Sequence, residues 1–178
     1  MKILETTRLV LRHMSADDAP FMLMLLNDPS WLRYIGDRGV RNLDDARNYI
    51  LNGALENYAR LGFGFYLVEL KESGTAIGMC GLAKRDYLDY ADIGFAFLPQ
   101  YCGKGYAFEA AAGVLAYAKL TLGLPHLLAT TRLDNLNSIK LLERIGMRFE
   151  KVFVHPDGDR ELKLFAIDLT SDLISDLT

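Results

Sequence analysis

A strand, a glycine turn and the start of a helix follow one another between residues 93 and 107, and such a junction can hold a phosphate group. Apolar alternation over 93–97 predicts a buried strand that ends at Pro99. Gly103 and Gly105 allow the backbone to turn with positive φ, and a helical pattern begins after them. The loop amides and the unpaired N–H groups of the first helical turn would then converge on one anion, which the helix dipole also attracts.

Two familiar phosphate-binding motifs do not fit this segment. A Walker loop requires serine or threonine after Gly-Lys to reach magnesium, whereas Gly105 follows Lys104. The dinucleotide fingerprint requires a third small residue at the position where this chain has Phe108. The alternatives that remain are a different phosphate loop and an ordinary strand-to-helix turn without a ligand.

Length and charge indicate one ordinary globular domain. The chain has 178 residues, enough for one well-packed domain over residues 1–178, whereas two domains would each have a marginal core. Its apolar fraction of 51% and charged fraction of 24% are typical of soluble proteins. The net charge of -3 provides no general attraction for nucleic acid or an anionic membrane, so we expect neither as a partner, and a homodimer stays open.

The cysteines, the histidines and the hydropathy indicate whether the protein binds a metal, crosses a membrane or is secreted. Cys80 and Cys102 imply no disulfide framework, and the three histidines lack metal-ligand spacing with either of them, so we expect no metal site. No apolar run approaches the ~18 residues of a membrane span, and the start of the chain lacks the apolar core of a signal peptide. These features predict a cytoplasmic protein.

Hydrophobic periodicity and turn residues predict a mixed set of elements. The expected strands cover 7–12, 63–71, 75–84, 91–98, 126–132, 149–154 and 160–167. The expected helices cover 15–26, 42–61, 107–122 and 135–145. A loop at 28–39 would border a substrate cleft, and the tail from 168 to 178 is expected to fray. This order predicts an α+β fold with a mixed, mostly antiparallel sheet and helices on both faces.

The spacing Gln100-x-x-Gly103-x-Gly105 resembles the acetyl-CoA pyrophosphate loop of the GNAT superfamily of N-acetyltransferases. The predicted order of elements is also that of the GNAT fold, so the resemblance extends over nearly the whole chain. Within that superfamily the sequence is most similar to the RimJ/RimL branch of ribosomal-protein N-terminal acetyltransferases. The segments that carry this second resemblance are Arg8-Leu9-x-Leu11-Arg12 after Thr7, Ile93-Gly94-Phe95, Asn135-x-x-Ser138 and the run from Leu142 to Met147.

The resemblance implies a binding site for acetyl-CoA as co-substrate. Backbone groups of Phe95 and Phe97 would pair with the pantetheine arm in a gap between two strands. Asn135 would hydrogen-bond the arm, and Ser138 would lie near the thioester sulfur as a candidate general acid, although both residues could instead cap a helix. The pyrophosphate would be held by Gln100, Tyr101, Cys102, Gly103, Lys104, Gly105 and Tyr106. Lys104 could equally be a solvated surface lysine.

The acceptor of such an enzyme is a neutral primary amine. An α-amine has a pKa of ~7.7–8.0 and a lysine ~10.4, a difference worth roughly 3.5 kcal/mol of deprotonation. We therefore expect an α-amine at the N-terminus of a protein, such as a ribosomal protein, and direct attack on the thioester. The alternatives are a small amine such as a polyamine or an aminoglycoside, and a regulator that binds acyl-CoA without turnover.

Candidate general bases are Asp92, Glu161 and His155, each of which could also be an ordinary residue at a strand edge. Asp92 belongs to an acidic stretch with Asp86 and Asp89, which could attract a cationic amine or simply form a hydrophilic loop. Cys102 has no histidine nearby in the sequence to activate it, so it is expected to line the loop rather than to act as a nucleophile.

Overall fold

An eight-stranded sheet in the order β1-β2-β3-β4-β5-β6-β8-β7 forms the centre of the computed structural model, which describes residues 1–170. All neighbouring strands are antiparallel except β5 and β6, which are parallel. The strands are β1 Lys2–Glu5, β2 Leu9–Arg12, β3 Phe65–Leu70, β4 Ala76–Ala83, β5 Asp92–Phe97, β6 His126–Arg132, β7 Arg148–Val154 and β8 Glu161–Asp168. The predicted α+β class with a mixed, mostly antiparallel sheet is confirmed.

Six α-helices accompany the sheet in the described residues. They are α1 Ala19–Leu26, α2 Pro29–Tyr34, α3 Leu43–Ile50, α4 Glu56–Leu61, α5 Tyr106–Leu120 and α6 Leu136–Arg144. A π-helical segment, Leu51–Leu55, joins α3 to α4, so the helix predicted over 42–61 is continuous but locally widened. Short 3₁₀ turns cover Ala16–Asp18 and Pro99–Tyr101.

The helices cover both faces of the sheet, as the sequence predicts. Successive side chains of a strand point to opposite faces. Tyr66 and Val68 accordingly pack into the core beneath α5 and α6, whereas Leu67 between them packs into a second core with α1, α2 and α3. A gap between two strands of this sheet can therefore connect the side covered by α5 and α6 with the side covered by α1, α2 and α3.

The largest differences from the predicted elements lie near the N-terminus. β1 has only four residues with no buried position, so it lacks the alternation that would reveal it. Helix α2 replaces part of the loop expected at 28–39. Asp28 caps this helix by accepting a hydrogen bond from the N–H of Ser30 at 3.0 Å, and Pro29 occupies its first position. Asp-Pro marks a helix start as readily as a turn, which explains the error.

The beginning of α1 is tied to the sheet by charged groups. A capping box is present at Ser15, whose N–H donates to Asp18 Oδ2 at 2.8 Å. Arg12 of β2 donates to both oxygens of Asp18, at 2.9 and 2.8 Å, and to Glu69 of β3 at 2.8 Å. Burial acts to raise the pKa of Asp18, but these hydrogen bonds outweigh it and hold the pKa below its ordinary value.

Two general properties of the described chain bear on function. None of the helices within residues 1–170 is long and apolar enough to cross a bilayer. Over the same residues, no group of three or more His, Cys, Asp or Glu side chains is placed to hold a metal ion. The fraying expected for 168–178 concerns residues that lie mostly outside the described part.

Candidate active site

The glycine turn has the predicted conformation. β5 ends at Phe97, a 3₁₀ turn begins at Pro99, and α5 starts at Tyr106. Gly103 and Gly105 have φ values of 76° and 81°, a region that side chains other than glycine rarely adopt. The chain therefore passes from strand to helix with the backbone of the turn exposed.

The backbone N–H groups from Gly103 to Phe108 are free to bind a ligand. None of them donates a hydrogen bond to any group of the described chain. They stand at the N-terminus of the fifteen-residue helix α5, whose dipole attracts negative charge. By contrast, the N–H groups of Tyr101 and Cys102 donate to Leu98 O at 3.0 Å and Pro99 O at 3.1 Å. The free amides thus lie in the second part of the predicted loop.

The carboxylate of Glu109 holds the glycine turn in place. Glu109, in the first turn of α5, accepts from Thr6 Oγ1 at 2.6 Å and from the backbone N–H and Nε of Arg8, both at 2.7 Å. Arg8 also donates to Lys104 O at 2.9 Å and lies over the Tyr106 ring, 4.4 Å from its centroid. No local pattern indicates this contact, because Arg8 and Glu109 are 101 residues apart.

β5 and β6 separate immediately after they meet. Their one pairing joins Asp92 to Leu128, where the Leu128 N–H donates to Ala91 O at 2.9 Å. On its other side β5 pairs with β4 along its full length. The two parallel strands thus form a gap that opens toward the glycine turn.

The gap exposes a row of backbone groups on β5. Ala91 O points toward β6, whereas the Leu98 N–H points the other way and donates to Ile77 O at 3.0 Å. Because N–H and C=O groups alternate in direction along a strand, the groups at odd-numbered positions face the gap. These positions are Ile93, Phe95 and Phe97. A peptide-like ligand could pair with them as an additional strand.

A cleft of about 630 Å³ passes through this gap. Its donor side, defined by the glycine turn, α5 and α6, carries the unpaired amides. Its acceptor side lies on the opposite face of the sheet. This side is defined by α2, segment 35–39, Tyr49, loop 85–87 and the β7–β8 turn at 155–160. The predicted cofactor residues that line the cleft are Phe95, Phe97, Tyr101, Cys102, Gly103, Gly105, Tyr106, Asn135 and Ser138. Gln100 and Lys104 are exposed and do not line it.

Asn135 and Ser138 have different roles at the start of α6. Asn135 is the N-cap, since its Oδ1 accepts from the Ser138 N–H at 3.3 Å. The Ser138 hydroxyl has no hydrogen-bond partner among the described residues. Capping thus engages only the amide oxygen of Asn135, and the Ser138 hydroxyl is available to a ligand.

Of the three candidate bases, Asp92 has the most unusual surroundings. Its side chain points to the acceptor side and is 2% exposed. Oδ2 accepts from Arg85 Nε at 3.2 Å, whereas Oδ1 is buried without a partner. Burial raises the pKa of Asp92, and Arg85 only partly opposes it. A carboxylate in this state is poised to take up a proton.

The other titratable candidates are placed differently. His155 lines the cleft, with its Nδ1 accepting from the Asp157 N–H at 3.2 Å and its ring against Tyr87. Glu161 is exposed on β8 and does not line the cleft. Asp86 and Asp89 do not line it either. The acidic stretch therefore presents one carboxylate to the cleft, and that one is paired with an arginine.

Cys102 is not placed as a nucleophile. Its thiol approaches Leu98 O at 3.6 Å, and burial raises its pKa, with Asp28 acting in the same direction. Because the thiolate is the reactive form, this environment makes the thiol less reactive. This geometry agrees with the expectation that Cys102 lines the loop.

Comparison with known proteins identifies the family. Residues 8–148 match the family described as acetyltransferase (GNAT) domain. The chain belongs to the GNAT family. As a GNAT protein it has acetyl-CoA-dependent N-acetyltransferase activity, and its fold is the GNAT fold.

Individual relatives share this fold along nearly their whole length. The chain is 30% identical over 154 residues to an uncharacterised N-acetyltransferase, p20, of Bacillus licheniformis, covering 84% of each chain. Its structure resembles that of a GNAT-family acetyltransferase from Bacillus anthracis with a TM-score of 0.79 and 28% identity, over 96% of this chain and 100% of that one. The fold is also that of RimL, a ribosomal L7/L12 α-N-protein acetyltransferase solved with coenzyme A, with a TM-score of 0.82 and 18% identity over 97% and 100% of the two chains.

Proposed function

We propose that this GNAT enzyme acetylates the α-amine at the N-terminus of a protein or peptide, as RimJ/RimL-type enzymes do. The observation that carries the proposal is the cleft itself, which joins a row of unpaired backbone amides to a separate acceptor side through one gap in the sheet. A substrate held by the amides would present its thioester to an amine that enters from the opposite face.

On the donor side, we assign the pyrophosphate to the N–H groups from Gly103 to Phe108 and the pantetheine amides to the backbone of Phe95 and Phe97. The turn supplies neutral dipoles at fixed positions, so binding needs little rearrangement. Asn135 would contribute its free side-chain NH₂, while its oxygen caps α6.

On the acceptor side, we assign proton uptake to Asp92. The amine nitrogen attacks the thioester carbon, the C–N bond forms and the C–S bond breaks. The proton lost by nitrogen goes to the Asp92 carboxylate. The departing thiolate takes a proton from the Ser138 hydroxyl, whose oxygen takes a replacement proton from solvent water in the same step. Because an α-amine is more easily deprotonated than a lysine, a single carboxylate is a sufficient base.

The charge of the acceptor side argues against polyamines and aminoglycosides. Arg38, Arg85 and Arg160 line it, against the carboxylates of Asp28 and Asp92. A polycation would be repelled there. We place the reaction in the cytoplasm, since both cysteines are free thiols, as reducing compartments keep them.

Release of free thiol from acetyl-CoA tests the proposal. The acceptor panel contains peptides with a free N-terminus, the same peptides N-terminally blocked but carrying a lysine, spermidine and an aminoglycoside. We expect turnover only with the free peptides. Faster turnover of spermidine would overturn the assignment of the acceptor, and coenzyme A binding without turnover of any amine would indicate a regulator.

A further inference from the structure

The acceptor side carries positive charge that the protein itself does not neutralise. Arg85 is compensated by Asp92 at 3.2 Å. Arg38 is exposed, and within residues 1–170 no carboxylate lies within 4.0 Å of its guanidinium group, although it lines the cleft. A cation held beside a substrate cleft without an internal partner can pair with a substrate anion.

Arg160 is the second cation of this side, and its ion pair with Asp159 is long, at 4.0 Å. It follows the β7–β8 turn, and its Nη1 reaches across the cleft mouth to donate to Ile35 O at 3.2 Å. Its Nε is buried without a hydrogen-bond acceptor, since the nearest carboxylate oxygen, of Asp159, is 4.0 Å away. A buried donor without an acceptor is costly, and a ligand oxygen would relieve that cost.

Both arginines line the acceptor side of the cleft beside segment 35–39. A Cβ at Gly36 would lie 3.6 Å from Arg160 Nη1, and Arg38 is two residues further along the same segment. Tyr49, Arg38 and Arg85 line the same cleft, and both arginines act to lower the pKa of Tyr49, which burial raises. Arg38 belongs to segment 35–39, and Arg160 contacts that segment at Ile35. Both therefore lie on the acceptor side, as do Asp92 and its partner Arg85.

The unpaired atoms on this side form a complementary pattern. Trp31, which is 4% exposed, has a buried indole N–H with no acceptor among the described residues, and Arg160 has the unpaired Nε. Asp92 Oδ1 is the one buried carboxylate oxygen of the described chain that lacks a donor. A ligand that carries an amine at one end and acidic oxygens at the other would satisfy both kinds of group.

We propose that Arg38 and Arg160 form a carboxylate-binding subsite, so that the preferred acceptor is an α-amine whose molecule also carries a carboxylate. This inference rests on the proposed acetylation of an α-amine and specifies its substrate class. The carboxylate belongs either to an acidic side chain close to a peptide N-terminus or to the free C-terminus of a very short peptide. Both sources present the same planar pair of oxygens to a guanidinium group.

Matched acceptors separate these sources. The first pair consists of amidated peptides that differ only by aspartate or asparagine at the second position. The second pair consists of one dipeptide with a free or an amidated C-terminus. In thiol-release assays we expect kcat/KM to be at least tenfold higher for the charged member of one pair or both.

Three variants test whether the preference for the charged acceptor depends on Arg38 and Arg160. Arg38→Gln and Arg160→Gln should each reduce the preference to about threefold or less, because kcat/KM falls more for the charged member than for the neutral one, and coenzyme A affinity on the opposite face of the sheet should be retained. Arg47→Gln, which removes a guanidinium group on α3 outside the cleft, should keep the full preference. Coenzyme A titration shows whether each variant is folded.

Three results would overturn the inference. If charged and neutral acceptors react equally, the subsite is refuted, while the proposed acetylation of α-amines stands. If the preference survives both arginine variants, the carboxylate is recognised elsewhere. If no α-amine releases thiol at all, the proposed function fails and this inference fails with it.

Discussion

The donor and acceptor sides of the cleft are built from different parts of the polypeptide. The donor side consists mainly of backbone N–H and C=O groups from one contiguous stretch, β5 through the first turn of α5. The acceptor side consists of side chains from several separate segments, among them α2 and the β7–β8 turn. Recognition by backbone depends on conformation and tolerates changes of side chain. Recognition by side chains can be altered one residue at a time, so we expect specificity to reside on the acceptor side.

The largest effect is expected from a change of backbone conformation on the donor side. Gly103→Glu places a side chain at a φ of 76° and a carboxylate among the free amides. We expect coenzyme A affinity to fall at least 100-fold in a calorimetric titration, with the fold retained by circular dichroism.

Gly62→Glu is the matched control for that substitution. Gly62 has a φ of 79° at the end of α4, and a Cβ at either glycine would meet no atom within 4 Å. Both variants should lose about 1 kcal/mol of stability through backbone strain. If both also bind coenzyme A normally, the amides are not the pyrophosphate site and the distinction between the two sides fails.

A smaller effect is expected from a single side chain on the acceptor side. Asp92→Asn removes the proposed base, and we expect kcat to fall about 100-fold with coenzyme A affinity unchanged. Burial raises the pKa of Asp92, so wild-type kcat should decrease as the pH falls through that pKa and the carboxylate becomes protonated. The variant should lack this part of the pH profile.

Glu161→Gln provides the control for the carboxylate. Glu161 is exposed and outside the cleft, so its variant should have the wild-type rate and pH profile. A wild-type profile in Asp92→Asn, or an altered one in Glu161→Gln, would move the base away from Asp92.

The smallest effect is expected at Ser138, a side chain of the donor side. Ser138→Ala should lower kcat about tenfold without a change in stability, because its hydroxyl forms no hydrogen bond within the described residues while its N–H keeps the Asn135 cap. Asn135→Ala should instead cost about 1 kcal/mol of stability through the lost cap. Thermal unfolding and steady-state rates distinguish these results, and an unchanged kcat in Ser138→Ala would leave protonation of the thiolate to water.

The sequence revealed the donor side far better than the acceptor side, for a physical reason. Gly103 and Gly105 determine a local conformation, so the residues themselves predict the strand, the turn and the helix. The contact of Arg160 with Ile35 joins residues 125 positions apart. It depends on how α2 packs against the late hairpin, and no local pattern encodes that. The acidic stretch left two interpretations open, because the sequence does not show that Asp92 is buried and paired with Arg85 while Asp86 and Asp89 lie outside the cleft.

The separation of β5 and β6 creates an edge in the interior of the sheet. The unpaired strand edges of a sheet usually lie at its periphery. Here two unpaired edges face each other at the centre, and the pairing of Asp92 with Leu128 joins them at one end. Among the described residues, the pairing of Asp92 with Leu128 is the one backbone pairing that joins β1–β5 to β6–β8. A substrate that binds along both edges would pair with the free backbone groups there, and the amides of Phe95 and Phe97 should then exchange hydrogen more slowly.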